Sequence, residues 1–152
     1  MTAVRKILAR LSRSPPARQV VAAVPVRARA AGSVEFLLVR TSNGERWTFP
    51  KGGRESGETL AEAATREAIE EAGAVGRIGP EPIGEYLYRG ARVVAFLLEV
   101  ECTQRPAEAA RGPQWFALEE ARSRLSEGRD EAFAEQMKRV LLAAQRSAGG
   151  VR

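Results

Sequence analysis

Fourteen residues, Thr59–Ala72, are the most strongly determined element of this chain. Thr59 followed three residues later by Glu62 is a capping box, the interior is mostly Ala, Glu, Leu and Arg, and Gly73 supplies a C-terminal stop. At about 100° per residue, Glu67, Glu70 and Glu71 fall within about one third of the helix circumference. Ala61, Thr65, Ala68 and Ala72 form a neighbouring strip of small side chains suited to close packing on a sheet. Glu67 and Glu71 are like charges at i, i+4, a pairing that weakens an isolated helix by a few tenths of a kcal/mol. Glu62, Arg66 and Glu70 also fit an ordinary salt-bridged ladder on a solvated face. Three clustered carboxylates become favourable when a hard divalent cation lies between them. Oxygen ligands of this kind suit Mg²⁺, which keeps several waters and shares itself with substrate phosphates.

Around this helix the pattern alternates. Gln19–Ala30 and Val34–Thr41 read as strands separated by the turn-prone Ala31-Gly32-Ser33, with Pro25 placing the first at a sheet edge or a bulge. Ser42–Glu45 is a turn, Arg46–Phe49 a short extended stretch and Pro50–Gly57 a loop. Pro80–Pro82 precedes an extended run through Tyr88, and Arg89-Gly90 turns into the strongest strand, Arg92–Glu101. After the loop Pro106–Pro113 come a short strand, Gln114–Leu118, a short helix, Leu118–Leu125, and a longer helix, Asp130–Gln145. In the last, Phe133, Met137, Val140, Leu141 and Ala144 stand at core-facing spacing. The pattern predicts an α/β domain, a central mixed sheet with helices on its faces.

A chain of 152 residues has room for one ordinary domain. We expect a basic segment over 1–17, the domain over 18–148 and a tail over 149–152. Met1–Ser14 sets Ile7, Leu8 and Leu11 among Arg5, Lys6, Arg10 and Arg13, and Pro15–Pro16 then breaks the chain. A frayed or docked surface helix fits this segment better than a transit peptide, and it lacks the apolar core of a secretory signal. Apolar stretches such as Val93–Leu98 are core-strand length and too short to span a bilayer, so no membrane association is expected. Cys102 is the only cysteine, which excludes an internal disulfide and makes the reducing cytoplasm the expected location. The chain has no histidine, which excludes histidine-ligated zinc and histidine-assisted nucleophiles. Acid–base chemistry then falls to carboxylates, Lys, Tyr or metal-bound water. The net charge of +5 suits anionic partners, yet the basic residues are interspersed with acids rather than massed, as on an ordinary solvated surface.

Upstream of the helix, Phe49-Pro50-Lys51-Gly52-Gly53-Arg54-Glu55-Ser56-Gly57-Glu58 gathers three glycines and several charges in one loop. Glycines let backbone N–H groups approach an anion, and Lys51 and Arg54 add cationic donors. Alone such a loop is more often a plain turn. Joined to a carboxylate-lined helix, it supplies cations for phosphate oxygens beside a metal site. Gly52, five residues to Glu58, then seven to Arg66-Glu67-Ala68-Ile69-Glu70-Glu71-Ala72-Gly73-Ala74 resembles the Nudix box throughout, Ala68 and Ala74 being smaller than the aliphatics usual there. Seven fixed residues are in register. With residue frequencies of about one in fifteen, chance agreement is on the order of one in a million.

The resemblance runs from about Val20 to Ala144 and implies the Nudix fold, an α/β/α sandwich around a mixed sheet, with the box as a loop–helix–loop. It implies that Glu67, Glu70 and Glu71 hold a catalytic Mg²⁺ or Mn²⁺, with Gly52 contributing backbone. Arg66 would orient a neighbouring glutamate, and Glu58 would support the loop. The implied reaction is attack of a metal-activated water on phosphorus in a pyrophosphate linkage. Glu67 or Glu71 is the first choice of base, and Glu108 an alternative base or extra ligand. Lys51, Arg54, Arg40, Arg89 and Trp47 are the expected substrate contacts. Trp47–Gly52, with Gly84-Glu85-Tyr86 and Gln114-Trp115-Phe116, resembles the branch acting on dinucleoside polyphosphates and diphosphoinositol polyphosphates. A dinucleotide would need base platforms, for which Trp47, Tyr86, Tyr88 and Arg89 are candidates, although a core role suits each aromatic better. An inositol pyrophosphate would need a cationic bowl, drawn from Arg40, Arg46, Lys51, Arg54, Arg89, Arg92 and Arg111. An RNA 5′ end or a nucleoside triphosphate would be cut by the same chemistry, and a Nudix module that binds nucleotides without cutting them is the rival class. The partner expected is a phosphorylated small molecule, and the assembly a monomer or homodimer.

Overall fold

Val20–Ala28 (β1) is the strand on which the rest of the sheet is assembled, and its register explains how. Val21 and Ala23 point to one face while Ala22, Val24 and Val26 point to the other, and all five are buried. The computed structural model describes residues 19–149. The segment Met1–Ser14, the Pro15–Pro16 break and residues 150–152 lie outside the described residues.

The other strands are β2 (Val34–Arg40), β3 (Trp47–Thr48), β4 (Lys51–Gly53), β5 (Ala74–Ile78), β6 (Gly84–Tyr88), β7 (Ala91–Thr103) and β8 (Gln114–Ala117). Helix α1 (Leu60–Glu67) runs into a wider, π-type turn over Ala68–Ala72; α2 is Leu118–Ser126 and α3 is Glu131–Gly149. The sheet order is β3-β2-β1-β7-β5, with β4 also pairing β1, β6 pairing β7 and β8 pairing β2. β1 and β7 run parallel and every other pair is antiparallel, so the sheet is mixed.

Both faces are covered, giving the expected α/β/α sandwich. On one, Ala63, Ala64, Ala68 and Ala72 pack on Val21, Ala23, Leu37, Val39, Phe96 and Leu98. On the other, Met137, Val140, Leu141 and Ala144 of α3, with Ala121 and Leu125 of α2, pack on Ala22, Val24, Phe36, Leu38 and Ala95. Of the expected strip, Ala68 and Ala72 are buried and Ala61 packs half-buried against the same cluster; Ala63 and Ala64 join them in place of Thr65, which bonds back to the Ala61 carbonyl. No helix among the described residues is long and apolar enough to cross a membrane.

Three expectations about strands are corrected. β1 is central, not an edge, despite Pro25. The Ala23 N–H donates to the Pro50 carbonyl, and a residue two further on points to the same side. Pro25 therefore lacks its donor where β1 changes partner, between the β4 pairing at Val20–Ala22 and the β2 pairing at Val26–Ala28. Lys51–Gly53, expected within a loop, is a strand against β1. Ala74–Ile78, with no strand pattern of its own, pairs with β7 across a bulge between Val75 and Gly76. Gly76 is needed there, because a Cβ would come within 2.0 Å of the Glu99 carbonyl oxygen. As expected, Arg89 and Gly90 make a tight two-residue hairpin, both with positive φ (50° and 77°).

Gly73 ends the box helix in the left-handed region, φ 63°, and a Cβ there would lie 1.9 Å from the Gln104 carbonyl oxygen. That oxygen is backbone and cannot swing away. Gly73→Ala should lower unfolding free energy by about 2–4 kcal/mol in urea melts; a loss below about 0.5 kcal/mol would contradict this close approach.

Candidate active site

Strand β4 and helix α1 bring the glycine loop against the acidic helix. Thr59 Oγ1 accepts from the Glu62 N–H at 3.1 Å, and Glu62 Oε1 from the Thr59 N–H at 2.8 Å, which fixes where α1 starts. Gly52 pairs with Val21 in β1, and this register sets the Gly52 α-carbon under the Glu67 carboxylate. A Cβ at Gly52 would stand 2.1 Å from Glu67 Oε1. Glycine is required here for room.

Arg66 organises the acids. Its Nε donates to Glu58 Oε2 at 2.8 Å, its Nη2 to Glu58 Oε1 at 3.0 Å and to the Gly53 carbonyl at 2.9 Å. Its Nη1 reaches Glu67 Oε1 at 2.9 Å and Glu70 Oε2 at 3.3 Å, with Glu55 at 3.7 Å. The guanidinium, and then the Glu55 N–H, hold the Glu58 carboxyl down to about 2. Glu58 thus ties the loop to the helix through Arg66.

Glu67 and Glu71 are buried, 7% and 5% exposed, whereas the Glu70 side chain is 40% exposed and its ion-pair partner among the described residues is Arg66. Glu71 Oε1 accepts the Lys51 N–H at 3.1 Å, and Glu71 Oε2 lies 3.5 Å from Arg111 Nη2. Burial pushes the Glu71 carboxyl up to about 7 against the pull of Arg111 and of the Lys51 N–H. Burial also raises Glu67, opposed by Arg66. Lys51 turns its ammonium onto the Tyr88 ring, 4.2 Å from the centroid, and burial lowers its pKa.

The loop expected over Pro106–Pro113 is clipped to the box. The Glu108 N–H donates to the Glu70 carbonyl at 3.0 Å. Arg111 Nη1 bonds the Arg40 carbonyl at 3.3 Å, and its Nη2 bonds Glu108 Oε1 at 3.1 Å. Arg111, one of the candidates for the cationic bowl, reaches the site through this loop closure, and its pairing with Glu71 and Glu108 has no signal in the sequence.

The NUDIX domain family matches residues 17–141. The chain belongs to the Nudix family. Nudix hydrolase 4 of Arabidopsis thaliana is 36% identical over 120 residues, 69% of this chain and 58% of that protein. Nudix hydrolase 18, mitochondrial, of the same plant is 32% identical over 120 residues, 69% of this chain and 67% of that protein. This chain spans 58% of the length of two of the curated relatives it matches. A crystal structure of a C. elegans Ap4A hydrolase binary complex matches at a TM-score of 0.67 and 25% identity, covering 87% of this chain and 99% of that chain. A NUDIX hydrolase from Nitrosomonas europaea shares the fold at a TM-score of 0.65 and 20% identity, covering 86% of this chain and 73% of that chain. The resemblance in the sequence is thus matched, and an Ap4A hydrolase, from the branch it pointed to, is among the structural neighbours.

Within this Nudix site, the box glutamates do not form a finished metal cage. Among the described residues no three acidic side chains converge as metal ligands. Arg66 sits between Glu67 and Glu70, and Arg111 approaches Glu71. The donor set nonetheless suits a hard divalent cation, because six carboxylates (Glu55, Glu58, Glu67, Glu70, Glu71 and Glu108) surround two guanidinium groups. A bound cation would also relieve the two buried carboxyls.

The expected substrate contacts divide. Lys51 lies at the site and Arg89 is exposed on the neighbouring hairpin. Trp47 is a correction: it is 3% exposed, its ring edge-on to Phe116 and covered by Arg40 at 4.2 Å, so it offers a ligand no surface. Arg40 is correspondingly engaged on that ring. Arg54 braces the loop, donating to Gln19 Oε1 at 2.8 Å and to the Glu58 carbonyl at 3.0 Å. Tyr86, also 3% exposed, belongs to the core.

The folded state holds the Glu71 proton more tightly than the unfolded chain does, so ionisation opposes folding. In metal-free buffer this contribution is fully present below the ordinary value of 4.5 and is lost as pH rises through about 7. Urea melts in chelator should therefore find Glu71→Gln gaining on the parent by on the order of 1–3 kcal/mol between about pH 5 and pH 8. Parallel pH profiles for the two proteins would remove the assignment.

Proposed function

We propose that this chain hydrolyses a pyrophosphate linkage in a phosphorylated small molecule, a dinucleoside polyphosphate or a diphosphoinositol polyphosphate, with Mg²⁺ or Mn²⁺. The observation that carries this reading is the buried Glu67–Glu71 pair beside Gly52, with more carboxylate than guanidinium around it. Glu67, Glu70 and Glu71, with the Gly52 backbone, would hold the cation. Bound there, it would lower the pKa of water and offset charge on the phosphates.

The protein groups divide the remaining work. Arg66 fixes Glu67 through its Nη1 and anchors the loop through Glu58 and the Gly53 carbonyl. The Lys51 ammonium and the Arg111 guanidinium face phosphate oxygens. Water attacks phosphorus, a new O–P bond forms as the bridging P–O bond breaks, and a carboxylate oxygen of Glu67 or Glu71 takes the proton. Glu108 is the poorer base, because its carboxylate is already bonded to Arg111 and its side chain is 45% exposed. The similarity to an Ap4A hydrolase supports the substrate class, since that structure aligns over 87% of this chain.

Full-length protein should release phosphate-containing products from diadenosine tetraphosphate or a diphosphoinositol polyphosphate in Mg²⁺, and none in chelator. Glu67→Gln and Glu71→Gln should each lower kcat/KM by about a hundredfold or more. Gly52→Ala should lower turnover by pushing the buried Glu67 carboxylate off Arg66. Tight binding of these compounds with no turnover would make the chain a binding module instead.

A further inference from the structure

Two guanidinium groups stand among the acids of the site, and they are held in different ways. Arg66 is fixed: its Nε and Nη2 grip Glu58 at 2.8 and 3.0 Å, and Nη2 also reaches the Gly53 carbonyl at 2.9 Å. Arg111 makes longer contacts. Its Nη1 lies 3.3 Å from the Arg40 carbonyl and its Nε 3.3 Å from Glu108 Oε1, while Nη2 stands 3.1 Å from Glu108 Oε1 and 3.5 Å from Glu71 Oε2. Among these partners only Glu71 belongs to the box helix.

The loop that carries Arg111 is held by polar clips rather than by packing. No residue of Pro106–Pro113 is buried, and its 3₁₀ turn, Ala109–Arg111, ends at Gly112 in the left-handed region, φ 52°. The Glu108 N–H donates to the Glu70 carbonyl at 3.0 Å, and the Gln104 N–H, just before the loop, to the Gly73 carbonyl at 2.8 Å. A segment tied down this way, without apolar contacts, opens at low cost.

Glu71 cannot serve Arg111 and a divalent cation at once. Its carboxylate is 5% exposed, and one oxygen already accepts the Lys51 N–H, which leaves the oxygen that faces Arg111. A cation on that carboxylate would set like charge beside a guanidinium whose side chain is only 17% exposed, where solvent screens repulsion poorly. Arg66 is gripped on several sides and cannot yield. Arg111 can, and Glu108, bonded to the same guanidinium, travels with it.

We propose that Arg111 is an internal counter-ion of Glu71 that a divalent cation displaces, so that the Pro106–Pro113 loop is latched to the box without metal and released when metal binds. Arg111 is thus a positioning residue: its hold on Glu71 sets both the affinity for the cation and the state of the loop. The coupling is reciprocal, since whatever factor the latch takes from cation binding, the cation takes from the latch. The proposal rests on the reading above for the cation at Glu71, and it gives the guanidinium its freedom to meet phosphate oxygens only after metal has bound.

Calorimetric titration of the full-length protein with Mn²⁺ alone reads the latch without turnover. Arg111→Gln should bind the ion about tenfold more tightly than the parent, while Arg111→Lys, which keeps the charge, and Arg139→Gln, on α3, should stay within about twofold. A loop merely loosened by substitution would move the Gln and Lys variants alike. Hydrogen–deuterium exchange of the unaltered protein needs no variant: amides of Glu108, Arg111 and Gly112 should exchange faster in saturating Mg²⁺ than in chelator. Affinity in Arg111→Gln that is equal to or weaker than the parent's, or loop exchange that is unchanged or slowed by the cation, would overturn the proposal. Either result with phosphate release intact removes the latch alone; the predicted tightening and faster exchange in a protein that cuts none of the compounds removes the catalytic reading alone.

Discussion

Four carboxylates crowd one guanidinium at the centre of this molecule. Arg66 is bonded to Glu58 and Glu67, borders Glu70 and Glu55, and reaches the Gly53 carbonyl as well. One positive charge cannot balance those acids, and Glu71 adds another whose nearest guanidinium, Arg111, stands off at 3.5 Å. Removing water from two of these carboxylates is costly unless further positive charge arrives. Acids therefore outnumber the guanidinium groups that face them at this site.

Everything else in the fold serves to hold that arrangement at close quarters. Alanines at positions 63, 64, 68 and 72 let the box helix lie directly on the sheet. The same sheet, through the β1–β4 pairing, carries Gly52 under Glu67. The π-type turn over Ala68–Ala72 carries Glu70 and Glu71, and Glu71 points inward to the Lys51 N–H while Glu70 remains at the surface. Such turns are rare and often mark functional sites, since they cost helix regularity. Gly73 then releases the chain into β5, beside the segment that leads to Arg111. The box helix, the glycine loop and the Pro106–Pro113 loop thus share one mechanical frame.

How much of this was legible in the residues depended on whether the information was local. The capping box, the Gly73 stop, the hairpin at Arg89-Gly90 and the core face of the last helix all follow from spacing, and all appear where expected. Features created by partners did not. Ala74–Ile78 has little strand character and becomes a strand because β7 is long enough to pair with it. Lys51–Gly53 reads as loop because glycine hides strand propensity. Pro25 misleads because its missing donor falls between two partner strands, which no local rule can see. At the site, Glu67 and Glu71 turn inward while Glu70 stays at the surface, and the ion pairs of Arg66 and the approach of Arg111 depend on tertiary packing. Trp47, named among the substrate contacts although a core role suited it better, fills the core against Phe116.

The measurement closest to this account is titration of the full-length protein with Mn²⁺, followed by loss of the free-ion electron paramagnetic resonance signal. An acid surplus centred on Glu67 and Glu71 predicts saturable binding that weakens about tenfold or more in Glu67→Gln and in Glu71→Gln, and stays within about twofold in Glu131→Gln, which lies on α3. Absence of saturable binding, or binding that all three variants retain equally, would contradict it.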